Sequence, residues 1–256
     1  MKKDPRITTA SGRYFLTDRI RDEVNFSTTR QSEGLPRPLV QKPVPAGSRI
    51  IPLPDRESWS IPPCNLEDAI AGRQSHRHFT DAPLSLDELA FLLWATQGVR
   101  EKPHATVLRT VPSAGCRHPF ETYLAILHVT GLKSGLYRYL PLEHALVHLR
   151  DIDNLPAHLV AACRGQQFSG EAAVTFLWSV LPVRTEWRYG EASYKVIALD
   201  AGHLCQNLYL ACAAICAGTC AIAAYNQTLA DDLLGVDGEE EFTIYIAPVG
   251  KIAAKR

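Results

Sequence analysis

Two arginines flank a serine in the segment Arg73-Gln74-Ser75-His76-Arg77. Guanidinium groups match phosphate oxygens in pairs, and a hydroxyl between them adds another hydrogen-bond donor. A helix and a loop beside such a segment supply backbone N–H groups to the same anion. The spacing therefore predicts a phosphate-binding segment, and the alternative interpretation is a solvated basic loop.

Small residues form a second candidate site at Pro112-Ser113-Ala114-Gly115, just before a predicted strand. Glycine and its small neighbours let the backbone approach a flat ligand closely. The segment therefore favours contact with a planar ring. A plain turn leading into the strand accounts for the same residues, so both interpretations stay open.

A third cluster, Arg188, Tyr189, Tyr194 and Lys195, lies at the predicted start of a long helix. A tyrosine beside a cation is a candidate for proton transfer, and so is a lysine amine. Arg188 itself cannot act as a base, because a guanidinium keeps its proton in proteins. Aromatic residues at such a position also serve as interface contacts, which is the alternative here.

The composition argues against several classes of protein. The 256 residues are 46% apolar and carry 27 basic and 27 acidic side chains, so the net charge is zero. A general nucleic-acid binder is basic, and we therefore expect no nucleic-acid partner. Seven scattered cysteines fit no disulfide framework, which favours reduced thiols and a cytoplasmic location. No Cys-x-x-Cys or nearby histidine pair accompanies them, so we expect no metal site.

We expect neither a secretory signal nor a membrane span. No apolar run follows the N-terminal lysines. Residues 208–225 are weakly apolar and are interrupted by Gly218 and Thr219, so they predict a buried helix followed by a strand. The dinucleotide-binding, P-loop and G-x-S-x-G motifs are missing from the sequence.

The chain divides into two parts near residue 63. Residues 1–63 contain nine of the 17 prolines, which predicts an extended arm without a regular helix or a central strand. Such an arm is expected to lie on a surface of its own subunit or of a partner subunit. Residues 64–256 are expected to form the globular domain.

The domain is predicted to mix helices and strands without strict alternation, which favours an α+β fold over a doubly wound sheet. A helix capped by Asn65 ends near Gly72, another begins at the capping box Ser85–Glu88, and a long helix ends at Gly218. The long helix covers 191–217, a short one covers 229–234, and the predicted strands cover 122–129, 136–140, 147–149, 172–181, 220–225 and 242–249.

In this order the motifs resemble those of the nitroreductase-type flavoproteins, and within them the SagB-type dehydrogenases that form thiazoles and oxazoles. The resemblance spans about residues 50–250. The matching segments are Arg73–Phe79, Leu84–Ala90, Leu93–Val99, Pro112–Tyr123, Gly135–Tyr139, Trp187–Gly190, Asp200–Leu208 and Pro248–Gly250.

The resemblance implies a nitroreductase-like α+β fold with a mixed or antiparallel central sheet between helices. The domain would be completed by dimerisation, with FMN held between the two subunits. By the same resemblance, the cofactor-binding residues are Arg73, Gln74, Ser75 and Arg77 at the phosphate and ribityl chain, Pro112, Ser113, Ala114 and Gly115 along the ring, Gly218 and Thr219 on its other side, and Lys251 at the phosphate.

The resemblance also implies FMN-dependent dehydrogenation of an azoline-like group in a peptide or small molecule. Azoline-oxidising members carry a Lys-Tyr pair, where this sequence has Arg188-Tyr189, with Tyr194-Lys195 as a rival placement in reversed order. The catalytic candidates are therefore Tyr189, Lys195 and Arg188. One alternative is a nitro or quinone reductase with NAD(P)H as a transient electron donor. Another is a non-catalytic flavin-binding scaffold subunit of a peptide-modifying complex.

Overall fold

A computed structural model of the chain describes residues 8–102 and 106–253. Its helices are α1 (Thr9–Leu16), α2 (Ile20–Glu23), α3 (Leu66–Gly72), α4 (Leu86–Gln97), α5 (Leu155–Ala162), α6 (Phe168–Glu171), α7 (Val183–Tyr189), α8 (Ser193–Ala214) and α9 (Gln227–Leu234). Its strands are β1 (Ile50–Pro52), β2 (Val99–Glu101), β3 (Leu108–Arg109), β4 (Phe120–Ile126), β5 (Gly135–Leu140), β6 (Ala145–Arg150), β7 (Val174–Val180), β8 (Ala217–Thr219) and β9 (Phe242–Lys251).

Seven strands form one sheet in the order β1-β6-β5-β4-β7-β9-β8, and each neighbouring pair is antiparallel. Strands β2 and β3 form a separate two-stranded ribbon. The predicted α+β class is confirmed. The sheet was expected to be mixed or antiparallel, and it is antiparallel.

Helices cover both faces of the sheet because alternate side chains of a strand point to opposite sides. Phe176 and Trp178 of β7 belong to the core cluster that also contains buried residues of α4 and α8. Leu177, between them, joins a second cluster with buried residues of α5 and α9. The central strands are therefore buried on both sides, and α8 lies directly on the sheet.

Both predicted helix starts are confirmed. The Asn65 side chain accepts a hydrogen bond from the Glu67 N–H at 2.8 Å. Ser85 and Glu88 exchange reciprocal bonds, with the Glu88 N–H donating to the Ser85 hydroxyl at 3.1 Å and the Ser85 N–H donating to the Glu88 carboxylate at 2.9 Å. The Glu88 carboxylate also pairs with the Lys251 ammonium, so this cap ties α4 to β9.

The expectation of an extended arm without regular helix is wrong over α1 and α2. Thr8 and Ser11 form a capping box at the start of α1, in a stretch between Pro5 and Pro36 that contains no proline. Further along, β1 pairs with β6 at the sheet edge, where Pro52 is tolerated. The division of the chain at residue 63 stays a prediction.

Residues 37–43 lie on the domain of their own chain and satisfy buried charges there. The Arg109 guanidinium donates to the Val40 carbonyl at 2.8 Å, and Arg138 donates to the Pro43 carbonyl at 2.7 Å. The Lys42 N–H donates to the buried Glu121 carboxylate at 2.8 Å. This part of the N-terminal segment is thus held by charge-assisted hydrogen bonds, which are stronger than neutral ones.

The predicted long helix runs too far at its C-terminal end. Cys216 adopts a left-handed φ of 51° just after α8, and Ala217–Thr219 form β8 instead of a helix end at Gly218. The predicted strand 220–225 is also wrong apart from a single bridge between Ile222 and Ile246. Within this stretch, the Ala221 N–H donates to the Tyr209 hydroxyl at 2.9 Å and not to a neighbouring strand.

We expect Glu88→Ala to lower the free energy of unfolding by about 2–3 kcal/mol, because it removes both the cap and the partner of Lys251. Glu88→Gln keeps an oxygen for the Ser85 N–H and should lose about half as much. Urea denaturation measures both. Glu67→Ala, which removes an exposed first-turn carboxylate from α3, is the control. Equal effects of Glu88→Ala and Glu67→Ala would contradict the assignment.

Candidate functional site

The Arg73–Arg77 segment runs from the end of α3 past β8. Ser75 and Thr219 form a parallel bridge, and the His76 N–H donates to the Thr219 carbonyl at 2.9 Å. Arg73, Gln74, Gly218 and Thr219 line one cleft of about 290 Å³. The structure therefore brings together the two segments that were predicted to approach one ligand.

Gly218 has no room for a side chain. A Cβ atom at this position would lie 2.6 Å from the Cβ of His76 and 2.7 Å from a methyl of Ile252. Contacts between non-bonded carbons normally lie near 3.5–4.0 Å. Glycine is thus required because the Arg73–Arg77 segment packs directly against β8, and not because a helix ends there.

Tyr209 of α8 holds the Arg73–Arg77 segment from behind. Its ring centroid lies 5.5 Å from the Arg73 guanidinium carbon, within the range of a cation–π contact. Its hydroxyl lies 3.1 Å from the Ser75 hydroxyl. Sequence reasoning missed Tyr209, although a large hydrogen-bonding side chain amid the Ala, Leu and Cys residues of 208–216 was a usable signal.

The charges of this segment are available to an anion. Neither Arg73 nor Arg77 forms an ion pair with any carboxylate of residues 8–102 and 106–253, and both are exposed. Lys251 is placed differently, since its ammonium pairs with Glu88 and donates to the Ile215 carbonyl at 2.6 Å. Contact between Lys251 and a cofactor stays a prediction, and the structure gives this side chain a role in joining α4, α8 and β9.

The Pro112–Gly115 loop lies against the end of α7. Gly115 has a positive φ of 58°, and a Cβ there would lie 2.7 Å from the Arg188 side chain and 2.8 Å from the Tyr189 hydroxyl. The Arg188 guanidinium carbon is 5.6 Å from the Tyr189 ring centroid. The structure thus brings two of the three predicted catalytic residues to the predicted ring-binding loop. Lys195, half-buried in the first turn of α8, is not among the nearest contacts of Gly115.

Asp200 fixes the same loop from α8. Its carboxylate accepts a hydrogen bond from the Ala114 N–H at 3.0 Å. Burial raises the pKa of Asp200, while hydrogen bonds from Ser113 and Ala114 act in the opposite direction. The Ser113 hydroxyl also accepts from the His118 N–H at 2.9 Å. Sequence reasoning assigned no role to Asp200, whose signal was a carboxylate on the apolar side of a helix.

A buried ion pair positions α7. Arg184 of α7 donates to Glu121 of β4 at 2.5 Å, and the side chains of both are at most 3% exposed. Arg184 precedes Arg188 by about one helical turn, so this pair sets where Arg188 and Tyr189 project. A cavity of about 600 Å³ opens beside Gly190, between α2 and the start of α8.

The two candidate regions lie at different places along α8. Asp200 and Tyr209 are nine residues apart, which is about 14 Å along the helix and two and a half turns. Their side chains therefore leave opposite flanks of α8. Within one chain the Arg73–Arg77 cleft and the Pro112–Gly115 loop do not line a common pocket among the described cavities.

Two further searches cover the described parts of the chain. Residues 8–102 and 106–253 contain no group of three or more His, Cys, Asp or Glu side chains placed to hold a metal ion. Over the same residues, no helix combines the length and apolarity needed to cross a bilayer.

Comparison with known proteins gives related sequences and folds. The sequence profile of the Nitroreductase family matches residues 70–251. A protein of Methanocaldococcus jannaschii described as a nitroreductase is 30% identical over 201 residues, which cover 78% of this chain and 96% of that protein. A nitroreductase structure from Ralstonia eutropha is 28% identical with a TM-score of 0.67, covering 86% of this chain and 96% of the other. A nitroreductase structure from Anabaena variabilis is also 28% identical, with a TM-score of 0.63. The match covers 73% of this chain and only 38% of that one.

Two further similarities are to a trifolitoxin-processing protein and to a chain of a microcin synthetase complex. The trifolitoxin-processing protein TfxB of Rhizobium leguminosarum is 25% identical over 140 residues, 53% of this chain and 32% of that protein. A chain of the Escherichia coli microcin synthetase McbBCD complex, with truncated pro-MccB17 bound, shares the fold at 16% identity and a TM-score of 0.60. That match covers 98% of this chain and 100% of the other.

We predict that His118, beside the Pro112–Gly115 loop, makes stability depend on pH. Burial and the Arg109 charge lower the pKa of His118 to about 3. Below a pH of about 6.5, the unfolded chain therefore binds a proton that the folded chain does not. The free energy of unfolding consequently decreases as the pH is lowered. The expected loss from this group between pH 7 and pH 5 is about 2 kcal/mol.

His118→Gln keeps an N–H donor for the Val107 carbonyl, which His118 contacts at 2.9 Å, and does not titrate. Denaturant unfolding at both pH values should show a smaller loss in this variant than in the parent. His158→Gln, at an exposed histidine of α5, should behave as the parent does. The same pH dependence in His118→Gln and the parent would rule out His118 as the cause.

Proposed function

We propose that this chain, which belongs to the nitroreductase family, is an FMN-dependent oxidoreductase acting on an azoline-like group of a peptide or small molecule. The observation that carries the proposal is the contact of Gly115 with Arg188 and Tyr189. That contact puts a candidate proton-transfer group beside the loop assigned to the flavin ring.

The residues fit the two ends of FMN. Arg73 and Arg77 offer positive charge without a carboxylate partner among the described residues, and Ser75 offers a hydroxyl between them. A phosphate monoester is the anion that such a set of donors suits. Gly218 lets β8 pack closely against the Arg73–Arg77 segment, and Gly115 lets the Pro112–Gly115 loop pack closely against Arg188 and Tyr189.

Three observations support a homodimer that shares the site. The cleft at Arg73 has about 290 Å³, near the lower limit for a small-molecule pocket. The Pro112–Gly115 loop lies on the other flank of α8, so one flavin contacted by both regions needs a second copy. Leu66, Ile70 and Leu199 are more than half exposed on α3 and α8, which suits burial against that copy.

Oxidation of an azoline to an azole removes one hydride and one proton from the substrate ring. Bound FMN would supply the two-electron acceptor for the hydride, which side chains lack. We assign the proton to the Tyr189 oxygen in its phenolate form, with the neutral Lys195 amine as the alternative acceptor. Arg188 keeps its positive charge and so compensates negative charge that develops near Gly115, without accepting a proton itself.

Two comparisons and one cavity support a peptide substrate. The likeness in fold to a chain of the microcin synthetase complex extends over 98% of this chain, including most of the N-terminal segment. The relative from Rhizobium leguminosarum is described as a trifolitoxin-processing protein. The cavity of about 600 Å³ beside Gly190 offers room for a substrate group near the C-terminal end of α7.

A second candidate is a NAD(P)H-dependent nitro or quinone reductase. The relatives from Methanocaldococcus jannaschii and Ralstonia eutropha, at 30% and 28% identity, are described as nitroreductases and favour it. An anaerobic assay separates the two. Rapid bleaching of the flavin band by NADPH, with recovery on adding a nitroaromatic compound, supports the reductase. An azoline-containing peptide that loses the mass of one hydrogen molecule supports the dehydrogenase.

The loaded protein also tests a non-catalytic role. If it holds FMN and catalyses neither reaction, alone or with a peptide-modifying assembly, a scaffold subunit is the better description. If the purified protein binds no FMN at all, the proposed function is wrong.

We expect Arg73→Ala and Arg77→Ala each to weaken FMN binding about 10- to 100-fold, because each removes a charged hydrogen-bond donor from the phosphate. Flavin fluorescence titration measures the dissociation constant. Arg49→Ala, at an exposed arginine beside β1, should bind FMN as the parent does. Full FMN occupancy in both variants would defeat the phosphate assignment.

We expect Tyr189→Phe to lower azoline oxidation about 10²- to 10⁴-fold while leaving FMN binding unchanged, because only the proton-transfer group is lost. Tyr225→Phe, at a tyrosine packed against the core cluster of α5 and α9, is the matched control. If turnover survives in Tyr189→Phe and is lost in Lys195→Met, the lysine is the proton acceptor and the assignment of Tyr189 is wrong.

A further inference from the structure

Tyr209 makes three contacts, two of them with the Arg73–Arg77 segment. Its ring lies below the Arg73 guanidinium at 5.5 Å, and its hydroxyl lies 3.1 Å from the Ser75 hydroxyl. The Ala221 N–H donates to the same tyrosine oxygen at 2.9 Å. One side chain of α8 therefore contacts both a charged and a neutral donor of the segment.

The contact with Ala221 favours one direction for the hydrogen bond between Tyr209 and Ser75. A backbone N–H can only donate, so the Tyr209 oxygen is the acceptor in that pair. The tyrosine hydrogen is then available to Ser75, whose oxygen accepts it. Under this arrangement the Ser75 hydrogen is not used by Tyr209 and can be donated to a ligand in the cleft.

We infer that Tyr209 is a positioning residue for phosphate recognition: its ring holds the Arg73 guanidinium, and its hydroxyl orients Ser75 as a donor to the phosphate. The inference rests on the proposed binding of FMN. Tyr209 also lines the cleft, and we assign its effect on the phosphate to its contacts with Arg73 and Ser75. Its removal should therefore weaken binding of FMN and leave binding of riboflavin, which lacks the phosphate, unchanged.

The test is a set of titrations of the full chain with FMN and with riboflavin. Tyr209→Phe keeps the ring and loses the hydroxyl, so we expect about a five-fold rise in the dissociation constant of FMN. Tyr209→Leu also loses the ring and should add about a further two- to five-fold. Neither variant should change the affinity for riboflavin.

A double-mutant cycle with Ser75→Ala isolates the hydroxyl relay. If Tyr209 acts through Ser75, then Tyr209→Phe has no further effect on FMN binding once Ser75 is alanine. Equal weakening of FMN and riboflavin, or a full effect of Tyr209→Phe in the Ser75→Ala background, would mean a general structural role and overturn the inference. Equal affinities of Tyr209→Phe and Tyr209→Leu for FMN would show that the contact between the Tyr209 ring and Arg73 does not contribute, and would overturn that part of the inference.

The two proposals fail differently. If the parent protein binds neither FMN nor riboflavin, both the proposed function and this inference are wrong. If the parent binds FMN more tightly than riboflavin and the Tyr209 variants keep that preference in full, only the inference is wrong.

Discussion

The buried carboxylate of Glu121 is the constraint on which the site depends. Glu121 is 3% exposed, and an ionised carboxylate at such a depth is costly unless it is paired and hydrogen-bonded. Its partners come from three elements: Arg184 of α7, Arg138 of β5, and the backbone N–H of Lys42. Helix α7, the sheet and the N-terminal segment must therefore assemble around one charge. Because Arg188 and Tyr189 end α7, their position follows from that assembly.

Helix α8 supports both candidate regions in the same way. Loops lack the repeating hydrogen bonds of helices and strands, so their backbone and side chains need partners from elsewhere. Asp200 supplies one to the Pro112–Gly115 loop and Tyr209 supplies one to the Arg73–Arg77 segment. Ligand-facing donors are left exposed, while the groups behind them are held by a rigid helix packed on the sheet. Such an arrangement allows a loop to be both irregular and well positioned.

Local signals predicted local structure well. The caps at Asn65 and Ser85 depend on hydrogen bonds within one helical turn, so residue type and spacing suffice to predict them. The strands from β4 to β7 likewise follow from runs of apolar and β-branched residues. The Arg73–Arg77 segment and the Pro112–Gly115 loop were recognisable as motifs. The structure places them beside Thr219 and Tyr189, which were assigned to the same flavin, and their contact with a cofactor stays a prediction.

Long-range contacts explain what the sequence did not reveal. Gly218 was taken for a helix end, whereas its lack of a Cβ serves packing against His76, distant in sequence. The apolar run 220–225 has strand-like composition, but the Tyr209 hydroxyl accepts the hydrogen bond that the Ala221 N–H would donate to a neighbouring strand. Lys251 was assigned to a phosphate, and its partner Glu88 lies 163 residues away. A high proline count over residues 1–63 concealed α1, because the prolines are concentrated after residue 35.

The place of β9 in the sheet has a consequence for biosynthesis. Strand β9 comes after the other strands in sequence, yet it lies between β7 and β8, and Glu241 just before it binds Lys42. On a translating ribosome, β7 therefore has an unpaired edge until residue 251 has left the exit tunnel. An exposed edge of this kind recruits other strands. The nascent polypeptide is thus vulnerable to aggregation until β9 has been made and has paired with β7 and β8.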